Sequence, residues 1–209
     1  MTITNALQKA TAALTTTTTS TPLCTEPWAI ALRQRYGDKR QMLARWSIPN
    51  QEVCERLFAK AATVTPPIVR LSRTYGTRPI VDLVAVHITD AVMTISDCDS
   101  PQIDNADVRR VAQLMVTDSE LRVLPMGVLL AWFYRVKCRR YHIWGRYATP
   151  QKLLECLQQQ RRALTEEVWQ AQREAQHERE EQARREHRRQ AVDWKTYAAM
   201  RGIPVESLL

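Results

Sequence analysis

Glycine is scarce in this 209-residue chain: 5 residues, against 10 prolines. That argues against glycine-rich phosphate loops and against a hairpin-rich β-fold, because both need backbone at positive φ. No GxSxG, HExxH, P-loop or GxGxxG pattern occurs, so no known catalytic motif marks a reacting residue. The five cysteines (Cys24, Cys54, Cys98, Cys138, Cys156) are odd in number, widely spaced and form no CxxC pair. Reduced thiols are therefore expected rather than a disulfide frame or a zinc site. The histidines (His87, His142, His177, His187) share no ligand spacing with cysteine or carboxylate, so neither metal nor cofactor is expected. The longest strongly apolar run, Val123 to Tyr134, has twelve residues. This is too short to cross a bilayer and suits a buried helix. With no apolar signal core at its N-terminus, the chain is expected to be a cytoplasmic protein without a membrane partner.

What is present is charge, unevenly placed. The net charge is +8. By segment it is +1 over 1–25, +6 over 26–79, −6 over 80–120, +7 over 121–154 and zero over 155–209. Two arrangements follow from such blocks. The acidic block neutralises the basic ones inside the fold, or the basic blocks share a face that meets a polyanion.

The pattern of breakers predicts an all-α protein. Residues 1–25 hold ten threonines and read as a disordered tail, since they have little to bury against the entropy of ordering. Helices are expected from Pro27 to Tyr36, through Met42 to Trp46, after an N-cap at Asn50 with Val53, Leu57 and Phe58 on one face, and from Pro66-Pro67 to Gly76. Arg78 to Ile95 is β-branched, so a strand is an alternative, but its length without a turn residue favours a buried helix holding a hydrogen-bonded His87. Cys98 to Asp104 reads as a polar loop. Helices follow over Ala106–Val116, with Val108, Val111, Ala112 and Met115 on one face, and from Pro125 to Lys137. Thr149-Pro150 starts a helix that no glycine or proline interrupts before Ala191.

That last helix divides in two. Leu153, Leu154, Leu157, Leu164 and Val168 form a stripe that can pack on the core, giving a compact helical domain over 26–170. Beyond it the heptad positions turn polar, which disfavours a long coiled coil. Residues 171–192 are expected to project as a charged helix carried by i,i+4 pairs such as Glu180–Arg184 and Glu181–Arg185. Residues 193–209 hold a short docking helix, Asp193 to Arg201, closed by Gly202.

The segment with most chemical content is Trp132 to Tyr147, where six aromatics alternate with five cations. Trp132 and Phe133 belong to the core. Arg135, Lys137, Arg139, Arg140 and Arg146 can neutralise phosphates, while Tyr141 and Trp144 can stack on bases of a single strand. The competing reading is a structural loop whose rings pin it to the core and whose cations meet the acidic block.

The order of features over residues 105–190 resembles an uncharacterised family of small helical proteins from bacterial phages and other mobile elements. The matching residues are Ala112, Trp132, Phe133, Lys137, Tyr141, Trp144-Gly145, Pro150, Leu153, Leu157 and Arg161. Arg139 stands where the pattern has glycine, His142 replaces another, and Thr149 replaces the Asp before the proline. The resemblance implies a mobile-element setting beside replication genes. The expected function is a non-enzymatic accessory protein that binds nucleic acid, single-stranded by preference, or a replication complex through the basic-aromatic loop. The alternative is a protein-interaction adaptor whose partner meets the long C-terminal helix.

Overall fold

A computed structural model describes residues 26–96, 103–143, 145, 148–190, 196, 200 and 201. Among them are nine helices and no strand: α1 (Pro27–Tyr36), α2 (Lys39–Arg45), α3 (Asn50–Arg56), α4 (Phe58–Val64), α5 (Ile68–Tyr75), α6 (Thr77–Ile95), α7 (Asn105–Thr117), α8 (Met126–Lys137) and α9 (Pro150–Gln190). The all-α expectation holds, and 77–95 is helix rather than strand. No helix among the described residues is long and apolar enough to cross a membrane. The Thr-rich tail, most of the Cys98–Asp104 loop, Trp144, Arg146, Tyr147 and nearly all of the terminal segment lie outside the described residues.

α8 is the centre of the bundle. Met126 to Phe133 are all buried, so this helix is apolar around its circumference, as a helix enclosed by others must be. It lies against α3, α4 and α6, while α6 also packs on α5 and α7. Gly127 permits the contact with α4. A Cβ added there would stand 2.9 Å from the Ala61 Cβ and from the Thr65 methyl, and the Gly127 N–H donates to the Thr65 hydroxyl at 3.1 Å. The two proline-led segments before α5 and α8 are stitched together. The Met126 N–H donates to the Pro66 carbonyl at 3.0 Å, and Ile68 N–H to that of Leu124 at 3.1 Å.

Side-chain caps fix three of the helix starts, one of them the expected Thr149. Asp38 and Gln41 form a reciprocal capping box at α2, Asp104 accepts from Ala106 N–H at α7, and the Thr149 hydroxyl accepts from Lys152 N–H at α9. Asp118 accepts from the N–H groups of Glu120 and Leu121 and shapes the turn before α8.

α3 departs from expectation. Asn50 is its first helical residue rather than the N-cap, and its side-chain amide reaches back to the Arg45 carbonyl at 3.0 Å. Val53 and Leu57, the expected inner face, are 39% and 47% exposed, whereas Gln51 is fully buried. The reason lies in partners distant along the chain. Gln51 and Glu55, four residues apart and so on one face, both point inward. The Gln51 amide stands 2.6 Å from His87 Nδ1, and Glu55 meets Arg135.

His87 is buried and hydrogen-bonded, as its place in an apolar run suggested. Its Nε2 stands 2.7 Å from the Trp46 carbonyl. A carbonyl can only accept, so Nε2 carries the proton and Nδ1 accepts from Gln51. The ring stacks on Phe133 with centroids 5.6 Å apart. Burial pushes the His87 pKa down to about 4, against the smaller opposing effects of the Trp46 carbonyl and Asp90.

α9 shows the expected division. Leu153, Leu154, Leu157, Leu164 and Val168 are buried, joined by Cys156 and Ala171. From Gln172 to Arg189 every side chain is exposed except the half-buried Ala175. Arg185 pairs with Glu181 at 3.3 Å, while Glu180 accepts from Gln176.

Candidate nucleic-acid interface

The basic-aromatic segment begins on the last turn of α8. Three of its cations have carboxylate partners. Arg135 is held over the Phe58 ring, 4.7 Å from the centroid. Its Nε donates to Glu55 at 2.8 Å and its Nη1 to Glu167 of α9 at 2.9 Å. Only 12% of the Arg135 side chain is exposed. Burial works against its charge, but the hydrogen bonds it donates to Glu55 and Glu167, with their negative charge, outweigh burial and leave its pKa raised. Arg140 donates to the other Glu55 oxygen at 2.7 Å, so one carboxylate ties two arginines together. Lys137 donates to Asp90 at 2.8 Å with most of its side chain covered.

The half-buried Tyr141 packs on Trp132, ring centroids 6.3 Å apart. Burial raises its pKa, opposed by Arg135. Trp132 and Phe133 are fully buried. Arg139 has φ 56°, the left-handed region that glycine enters without steric cost and other residues seldom adopt. This is the position where the mobile-element pattern has glycine. Gly145 follows with φ 86°.

The structure thus brings Arg135, Lys137, Arg140 and Tyr141 onto the bundle and ties three helices with them. The acids that meet the cations are Asp90, from the acidic block, and Glu55 and Glu167, from outside it. Trp144 and Arg146 lie outside the described residues.

Arg139 and Arg140 of this segment are exposed, and many more exposed cations stand elsewhere. Nine of the ten basic residues between 26 and 79 are exposed, Arg33 being half-buried. Two of them, Arg35 and Arg70, line a concavity of about 470 Å³ between α1, α4, α5 and α9. It adjoins a second of about 760 Å³ lined by Arg162 and Arg173. Val123, Thr165 and Trp169 line both. Trp169 is 60% exposed and Val123 57%.

Sequence reasoning passed over Trp169 because it sits one residue beyond the buried Val168, about 100° round the helix from the apolar stripe. A detectable signal was there: a tryptophan off the stripe, with arginine seven residues before and four after it. Both spacings fall on one helix face.

Cys54, Cys138 and Cys156 are free thiols, and burial pushes those of Cys54 and Cys156 up to about 11. Neither is poised as a thiolate nucleophile. Among the described residues no group of three or more His, Cys, Asp or Glu side chains could hold a metal ion. No family model, curated protein or solved structure matches this chain.

Proposed function

We propose that this chain is a non-enzymatic accessory protein that binds nucleic acid, in the mobile-element setting its sequence resembles. The observation that carries this reading is the contrast in pairing among its cations. Arg135, Lys137 and Arg140 of the basic-aromatic segment have carboxylate partners. Arg35, Arg70, Arg162 and Arg173 have no carboxylate partner among the described residues and border one open groove. Arginines whose charge the fold does not neutralise can release counterions when they meet phosphate, and that release drives polyanion binding.

The test is a set of binding isotherms for the full chain with a fluorescent oligonucleotide across a salt series. The expected result is a linear fall of log K with log salt, with a slope of about −3 for four phosphate contacts on a single strand. Absence of binding at low salt refutes the reading.

The adaptor reading has one observation of its own. α9 spans 41 residues, about 60 Å, and from Gln172 to Arg189 its side chains are exposed apart from the half-buried Ala175. A chain ending at Glu174 tests it while keeping Glu167, Val168 and Ala171, which the bundle needs. As an adaptor, that shortened chain loses its protein partner and keeps any nucleic-acid binding unchanged.

A further inference from the structure

We infer that the groove across Trp169 is a stacking site for single-stranded nucleic acid, the indole taking a base and the flanking arginines the phosphates on either side. This rests on the nucleic-acid reading above and names its site and ligand class.

Trp169 lies where the two concavities meet, so a ligand running along the groove must cross it. Its exposure is unusual for the largest apolar side chain, which ordinarily covers itself in a core or interface. Here the Ala171–Val168 side of α9 is buried, and the indole is left on the rim. Along α9, Arg162 and Arg173 are eleven residues apart, about 16 Å, with Trp169 between them. Across the groove, Arg70 lies over the Trp28 ring at 5.9 Å and Arg35 over Tyr36 at 5.5 Å. Ring contacts orient these guanidinium groups without neutralising them.

The acids of the groove are few. Glu120 is paired with Arg161, and Glu166 is the lining carboxylate without a partner among the described residues. Four arginines therefore face one unmatched negative charge, which selects an anionic ligand. An acidic peptide satisfies that charge but gains little from an exposed indole face. A base gains stacking energy from it, and any base will do, because each has a π-face. A duplex hides its base faces, so the ligand is a single strand.

The experiment uses the full chain with labelled oligo-dT and oligo-U of about twenty nucleotides, a duplex of the same length, and a poly-glutamate competitor. Wild-type protein binds the single strands more tightly than the duplex, and the dT and U arms tell DNA from RNA. Trp169→Ala weakens single-strand binding about tenfold with the salt slope unchanged, and Trp169→Phe restores most of the loss. Arg162→Ala with Arg173→Ala reduces the magnitude of the slope by about 1.4. Melting curves verify that each variant is folded.

If wild-type protein binds but the Trp169 and Arg162/Arg173 variants bind equally well, the groove is not the site, although the nucleic-acid reading stands. Loss of binding in a combined Arg139, Arg140 and Arg146 alanine variant alone returns the site to the loop. Equal binding of duplex and single strand, or displacement by poly-glutamate at matched charge, overturns the stacking assignment. Failure of wild-type protein to bind any oligonucleotide removes both readings together.

Discussion

The end of α8 and the groove at Trp169 have the same ingredients, arginine beside aromatic rings, and opposite arrangements. At α8, Arg135 lies flat on Phe58 with two carboxylates against it and 12% of its side chain exposed. At the groove, Arg35 and Arg70 lie on rings but no carboxylate answers them among the described residues. The first arrangement ties α3, α8 and α9 together. The second leaves charge available for a ligand. Composition is silent about this difference, because what decides it is the position of the acids in space.

The largest effect expected from breaking the comparison falls on the α8 side. Glu55→Ala leaves the covered Arg135 without its Nε partner and removes the Arg140 ion pair as well. Removing one member of such a covered pair should lower stability by about 3–4 kcal/mol, read as a shift of the denaturation midpoint at constant slope. A loss under 1 kcal/mol would mean that Arg135 is as available as the groove arginines.

The inner face of α3 gives the next effect, through pH. The folded pKa of His87, about 4, lies below the ordinary 6.5, so the unfolded chain binds more protons between these values. Stability is fully present above pH 6.5 and falls as pH drops toward 4, on the order of 3 kcal/mol. In His87→Gln this part of the decline should disappear from urea titrations across that range. An unchanged pH profile would assign the decline to other groups.

Arg139→Gly relieves a left-handed residue and should stabilise the fold by about 1 kcal/mol in thermal melts. A destabilised variant would show that the arginine side chain contributes more than its backbone costs. The smallest effect belongs to the groove. Arg162→Ala with Arg173→Ala should change stability by less than about 0.5 kcal/mol, as surface substitutions do. A loss comparable to that of Glu55→Ala would erase the distinction between the two regions.

Much of the helical order was legible because local signals mark it: Pro27, Pro66-Pro67, Pro125 and Thr149-Pro150 at starts and Gly76 as a stop. The packed face of α9 was legible from its leucines. α3 was not, since its inner face is defined by Gln51 meeting His87 thirty-six residues later and Glu55 meeting Arg135 eighty residues later. An apolar-periodicity reading assigns that face to Val53 and Leu57 instead. The same distance hides the pairing of Arg135 and Arg140 with Glu55 and Glu167, whereas Lys137 meets Asp90 of the acidic block, as the structural reading of the loop allowed. Trp169 was hidden for the reverse reason, because a single aromatic off an apolar stripe has no periodicity to announce it.

The most direct measurement of the central contrast is arginine-specific modification with phenylglyoxal, mapped residue by residue by mass spectrometry with and without a single-stranded oligonucleotide. Arg35, Arg70, Arg162 and Arg173 should react in the free protein and be protected by the oligonucleotide, while Arg135 stays unreactive in both. Rapid modification of Arg135, or four groove arginines that react equally with and without the strand, would contradict the account.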